Sequence, residues 1–171
     1  MLLQDLLNIK DRHEFIMNCR RNLPLVGIGS SRNVYKLNDS QVLKVAKNTC
    51  GYLQNNVEYN SFNEYKDLDI FAHVLDKSDD CLWLIQPFAI FLKEDGEYFK
   101  QILEVISCIE ESKQYYSNEV FLNTLYKYLK NKNYKFLQDF KKHDSYGIID
   151  GNVYIIDYGM TDEIFNNYFN K

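Results

Sequence analysis

Residues 25–46 read LVGIGSSRNVYKLNDSQVLKVA, and this stretch decides what the rest of the chain can be. Short apolar runs at 25–28 and 33–37 flank the polar loop Gly29-Ser30-Ser31. A second polar turn, Asn38-Asp39-Ser40, leads into a third run at 42–46. Apolar and β-branched runs about tight polar turns predict antiparallel strands. Gly27 and Gly29 would let the backbone approach an anion closely, although a lone Gly-x-Gly suits any tight turn equally well. The strand-like run after the glycines narrows the choice. A dinucleotide-binding loop opens a helix, and a Walker A loop needs Gly-Lys and then Ser or Thr. Neither is present here.

The third run carries Lys44 between Leu43 and Val45, with Val42 and Ala46 on its own face. A lysine with apolar neighbours on both faces requires a partner or a phosphate, because an unpaired buried ammonium is costly. The alternative is an edge-strand lysine that snorkels to water. Residues 52–66 predict a helix on which Glu58, Phe62 and Tyr65 share a face, so Glu58 turns inward and offers Lys44 a carboxylate.

Working outward, residues 2–22 predict one or two short helices, closed by Arg20 and Arg21 and ended at Leu23-Pro24. Runs at 70–75 and 82–85 predict two further strands about a turn at Asp79-Asp80. Residues 99–109 and 121–129 predict amphipathic helices. Near the end, Asp150-Gly151 between 148–149 and 153–156 predicts a hairpin. The order is strands with an inserted helix, then helices, then a late hairpin, which is an α+β architecture with segregated halves. Asp157 closes the last run, where a carboxylate suits a hard cation or caps a turn.

Composition sets the outer bounds. The 171 residues predict one domain, in one or two lobes, and 46% hydrophobic content supplies a core. A net charge of −4 disfavours a general phosphate-backbone binder and hence nucleic acid as a partner. The apolar stretches are too short to span a bilayer, and the N-terminus lacks a basic leader with an apolar block. Cys19, Cys50, Cys81 and Cys108 are scattered without a C-x-x-C pair, which predicts reduced thiols and a cytoplasmic protein.

Taken together, these features resemble the protein-kinase-like superfamily, in particular its compact bacterial and phage-encoded members with a truncated C-lobe. That family carries a glycine-rich loop, a V-A-I-K lysine, a helix glutamate, H-R-D-L-x-x-x-N and D-F-G, in that order. This chain offers GIGSSRNVYKL, VLKVA, Glu58, LQDFKKHD and DYG in the same order across about residues 23–160. The resemblance implies a two-lobed fold: a helical extension at about 1–22, a small antiparallel N-lobe at 23–88 and a minimal C-lobe at 89–171. It implies that Gly27, Gly29, Ser30, Ser31 and Arg32 lie over nucleotide phosphates, with Val34 against adenine. Residues 85–89, with Gln86 and Phe88, would form the hinge. Lys44, held by Glu58, would bridge the α- and β-phosphates. Asp139 would orient or deprotonate an acceptor hydroxyl, and Lys141 would stand near the transferred phosphate. Asp157 and Asp144 would hold magnesium, with Ser145 as the alternative to Asp144.

The implied activity is ATP-dependent transfer of a γ-phosphoryl group to a hydroxyl of a protein, a small molecule or the chain itself. The other readings are a catalytically inactive kinase-like module that binds nucleotide or protein, and an unrelated α+β interaction domain. ATP and magnesium are the implied cofactors, and a host or cognate protein the implied partner, in the host cytoplasm for a phage-encoded chain. Several positions depart from the family pattern. Arg32 stands at the third glycine, Leu137-Gln138 replaces His-Arg, Asp144 replaces Asn, and only 160–171 come after Gly159, without an activation segment.

Overall fold

In the computed structural model, which describes residues 3–132 and 137–169, the opening stretch forms three antiparallel strands. They are β1 (Leu25–Ile28), β2 (Arg32–Lys36) and β3 (Gln41–Ala46), and β4 (Asp76–Lys77) and β5 (Trp83–Pro87) complete the sheet in the order β1-β2-β3-β5-β4. The fold is α+β, as the element order predicts. Leu2, where the first expected helix would begin, and residues 170–171 of the tail lie outside the described residues. The chain divides into two compact units, Met1–Asn60 with His73–Phe88 and Ser61–Ala72 with Ala89–Lys171.

In the first unit the pairing register sorts the side chains. Tyr35, Leu43 and Ile85 are cross-strand neighbours on one face; Val34, Lys44 and Leu84 are neighbours on the other. Two helices, α1 (Leu3–Leu7) and α2 (Arg12–Asn22), cover the first face by burying Leu6, Phe15 and Cys19 against Tyr35 and Leu43. Asp11 caps α2 by accepting from the Glu14 amide at 2.7 Å. The N-terminal helices are therefore part of this unit's core. Phe15→Ala is expected to cost about 3–5 kcal/mol of stability, whereas Leu3→Ala, at an exposed position, should leave the denaturant midpoint nearly unchanged. Equal midpoints for the two variants would show that the helices do not hold the sheet.

The helix α3 (Thr49–Tyr65) starts against the ends of β2 and β3. Gly51 permits this approach: a Cβ there would run into the Ser31 carbonyl oxygen and lie 3.0 Å from Ala46 Cα. The close start brings the helix face carrying Gln54, Asn55 and Glu58 to the sheet, and all three are buried.

The second unit packs α4 (Glu97–Glu110) and α5 (Val120–Lys132) through Ile102, Ile106, Leu122, Leu125 and Leu129. A three-stranded sheet, β6 (Ile90–Phe91), β7 (Tyr146–Ile149) and β8 (Asn152–Ile155), adjoins this core, and α6 (Asp162–Tyr168) comes after it. The β7–β8 turn is the expected Asp150-Gly151, with φ of 50° and 84°, the left-handed pair that a two-residue hairpin demands. One expected strand is absent. Residues 70–75 make only an isolated parallel bridge, Phe71 with Ile155. Ile70, Phe71 and Ala72 are buried by packing rather than by strand pairing, and the short β4 lies just beyond them.

Among the described residues no helix is long and apolar enough to cross a membrane. The four cysteines form no disulfide. Burial pushes the Cys19 thiol up to about 12, against a weaker opposing backbone hydrogen bond, so it stays a neutral core side chain.

Candidate functional site

Strand alternation sets Arg32, Val34 and Lys44 on one face of the five-stranded sheet, with Gln86 beside Val42 on the same face. Glu58, fully buried on α3, meets this face. Lys44 Nζ donates to Glu58 Oε2 at 2.9 Å and to Oε1 at 3.1 Å. Arg32 donates to Glu58 Oε1 at 2.8 Å and to Asn55 Oδ1 at 3.2 Å. The Gln86 amide donates to Glu58 Oε2 at 3.3 Å. One carboxylate thus holds two cations, and each of the three charged side chains is less than a tenth exposed. Low dielectric makes such bonds strong and any unpaired member costly. Asn55 carries the network on by donating to the carbonyls of Cys81 and Leu82, at 2.9 and 3.3 Å. No buried side-chain nitrogen or oxygen among the described residues lacks a partner.

Sequence reasoning pairs Lys44 with Glu58 but gives Arg32 to the phosphate loop. The Arg32 guanidinium instead turns inward to Glu58 and Asn55, because position 32 shares the Val34 face of β2. The helix spacing from Asn55 to Glu58, three residues on one face, is the signal for the amide partner.

The glycine turn is closed by the Gly29 amide donating to the Arg32 carbonyl at 2.8 Å. Lys47 Nζ donates to the Gly29 carbonyl at 2.7 Å, which ties the turn to the end of β3. Ser30 is exposed, while Ser31 is buried and donates its hydroxyl to Gln54. Only Ser30 therefore offers a solvent-facing hydroxyl in this loop. Gly27 and Val34 pair across β1 and β2, and Val34 is half-buried. Phe88 sits beyond β5 with its amide on the Ser40 carbonyl at 2.8 Å and Lys36 Nζ 5.3 Å above its ring.

The second unit holds the late residues. Asp139, Phe140 and Lys141 form a single 3₁₀ turn, Lys142 is extended, and His143 to Ser145 form another turn. Ser145 is buried and acts as a clasp. Its hydroxyl donates to the Asp139 carbonyl at 2.7 Å, and its own carbonyl accepts from the amides of Ile156 and Asp157 at 2.8 and 3.4 Å. This commits the Ser145 hydroxyl to the backbone and leaves Asp144, which is exposed, as the carboxylate of that turn. Tyr158 fixes the chain beyond Asp157. Its ring lies 4.7 Å from Phe71, and its hydroxyl donates to the Ala72 carbonyl at 2.7 Å. His143 Nδ1 lies 2.9 Å from the Leu92 carbonyl, which anchors the turn to the end of β6.

The two adjacent lysines part company. Lys141 Nζ pairs with Glu110 on α4 at 2.6 Å, whereas Lys142 Nζ pairs with Asp139. Burial, the largest single influence, pulls the Lys142 ammonium down. The Asp139 bond and the charges of Asp139, Asp157 and Asp144 outweigh it, so its net displacement is upward. Lys142 is thus a persistent cation among three carboxylates.

The donor set fits magnesium in kind: Asp144 and Asp157 are exposed oxygen ligands, and this ion characteristically takes one or two carboxylates with phosphate oxygens and water. No group of three His, Cys, Asp or Glu side chains among the described residues converges as a complete protein-only metal site.

No family model and no curated protein matches the chain. Among solved structures it is similar to "SAICAR-synthase from Saccharomyces cerevisiae complexed SAICAR", with 17% identity, 40% of this chain and 34% of that one covered, and a TM-score of 0.33. A second SAICAR synthase gives 17% identity, 41% and 35% coverage and a TM-score of 0.33. The chain thus spans about a third of the length of these two structures. It is also similar to the streptomycin-ATP-APH(2")-IIa ternary complex, with 14% identity, 89% and 71% coverage and a TM-score of 0.45.

Proposed function

We propose that the chain is a protein-kinase-like, ATP-binding phosphotransferase that moves a γ-phosphoryl group to a hydroxyl. The observation that carries this reading is the buried Lys44–Glu58 ion pair, a strand lysine held by a helix carboxylate behind a glycine turn. A lysine placed this way is a pre-oriented cation for the α- and β-phosphates and needs no reorganisation when phosphate arrives. The turn through Gly27, Gly29 and Ser30 covers the phosphates, Val34 packs against the base, and the 85–89 segment supplies backbone groups to it. Asp139 receives the hydroxyl proton as the acceptor oxygen bonds to the γ-phosphorus. The bond from that phosphorus to the bridging oxygen breaks, and ADP leaves. Asp157 and Asp144 would hold magnesium, which neutralises phosphate charge when bound. Ser145 and Tyr158 position Asp139 and Asp157 through the backbone.

One observation favours an inactive nucleotide-binding module: the Asp139 carboxylate is already engaged by Lys142. Incubation with γ-labelled ATP and magnesium separates the two. Label transferred to a hydroxyl, or released as phosphate, supports the enzyme. Nucleotide-dependent stabilisation without turnover supports the module, by linkage of ligand to the native state. Neither effect would mark an α+β interaction domain.

A further inference from the structure

We infer that Lys142, rather than its neighbour Lys141, is the cation that meets the γ-phosphoryl group, an assignment that rests on the nucleotide-binding reading. Position along the chain does not distinguish the two lysines; the local backbone does. The 3₁₀ turn over Asp139–Lys141 ends in an extended Lys142, with φ of −98° and ψ of 130°. This conformation returns the Lys142 side chain onto Asp139, three residues earlier, and the two form an ion pair. Lys141 leaves the turn in another direction and is held at 2.6 Å by Glu110 on α4.

The partners on each side fix what each lysine can do. Asp139 is the group assigned to the acceptor hydroxyl, so a cation bonded to it stands where the phosphorus is attacked. Lys142 also experiences the charges of Asp157 and Asp144, the residues assigned to magnesium. Its side chain remains 59% exposed, so it can exchange Asp139 for an incoming phosphate oxygen without emptying a buried site. Lys141 would first have to leave Glu110. In the transfer step charge is spread over the equatorial oxygens of the moving phosphoryl group, and an ammonium beside them lowers the barrier.

The test uses the full chain and two readouts. Calorimetric titration with ATP and with ADP, both in EDTA, measures the contribution of the γ-phosphate without metal or turnover. The wild-type protein is expected to bind ATP more tightly than ADP. Lys142→Ala should lose about fivefold of that preference, the size of one half-exposed charge contact, while keeping its ADP affinity. Lys142→Arg should retain most of it, and Lys141→Ala should move it less than Lys142→Ala. With magnesium and labelled ATP, Lys142→Ala is expected to lower kcat at least about tenfold with little change in KM. A preference lost in Lys141→Ala and kept in Lys142→Ala overturns the assignment. So does faster turnover in Lys142→Ala, which would make the Asp139 pair an autoinhibitory contact. Wild-type protein that binds neither nucleotide removes the nucleotide-binding reading itself, and this inference with it. ATP bound with unaltered preference in Lys142→Ala removes the inference alone.

Discussion

Glu58→Ala is expected to destabilise the first unit by about 3–5 kcal/mol, the range for removing one member of a buried ion pair. The carboxylate is fully buried and accepts from Lys44, Arg32 and Gln86, so its loss takes the shared partner from two cations that are themselves less than a tenth exposed. Contact area is a minor part of the effect, because the cost lies in desolvated charge. A variant that also replaces Lys44 with Met should recover part of the loss, since an apolar side chain of similar length removes one of the stranded charges. Equilibrium denaturation of the single and double variants measures both quantities. A loss below about 1 kcal/mol for Glu58→Ala would mean that the site is hydrated like a surface ion pair. In that case a pre-oriented Lys44 would no longer be a sound premise.

Asp157→Ala is expected to abolish phosphoryl transfer, by about 100-fold or more, the range seen when one electrostatic support of a transition state is removed. The substitution should leave the fold intact. Asp157 is exposed, and the chain around it is held by the Ser145 carbonyl and by the Tyr158 hydroxyl and ring. Single-turnover kinetics with γ-labelled ATP, beside a melting curve, separates chemistry from stability. Transfer that proceeds at the wild-type rate in Asp157→Ala would remove this residue from the mechanism. A melting point lowered in step with activity would show that the side chain is structural.

Much of the molecule is legible in its sequence because it rests on short-range rules. The alternation of Val42 to Ala46 puts Lys44 on a defined face, and the spacing on α3 turns Glu58 inward, so their meeting at 2.9 Å is the product of two local periodicities. The Asp150-Gly151 hairpin arises from residues that tolerate positive φ. The features that escape sequence reasoning depend on packing or on single-turn geometry. Ile70, Phe71 and Ala72 have strand-like composition, but tertiary burial rather than ladder pairing accounts for it. Arg32 sits where the family resemblance places a glycine, and only the β2–β3 register shows that it faces α3. Lys141 and Lys142 are indistinguishable in sequence, and a change of backbone angle after one 3₁₀ turn sends one to Glu110 and the other to Asp139. By spacing alone Ser145 competes with Asp144 as a metal ligand, and only the folded chain shows its hydroxyl committed to the Asp139 carbonyl.

The claim beneath the functional reading is that the Lys44 ammonium, held by Glu58, exists to grip a triphosphate. Calorimetric titration of ATP into the wild-type chain and into Lys44→Met tests it most directly. The account predicts saturable binding by the wild type and at least about a tenfold weaker affinity in the variant, consistent with the loss of one largely desolvated charge contact. Wild-type protein that takes up no ATP, or a Lys44→Met variant that binds it equally well, would contradict the account.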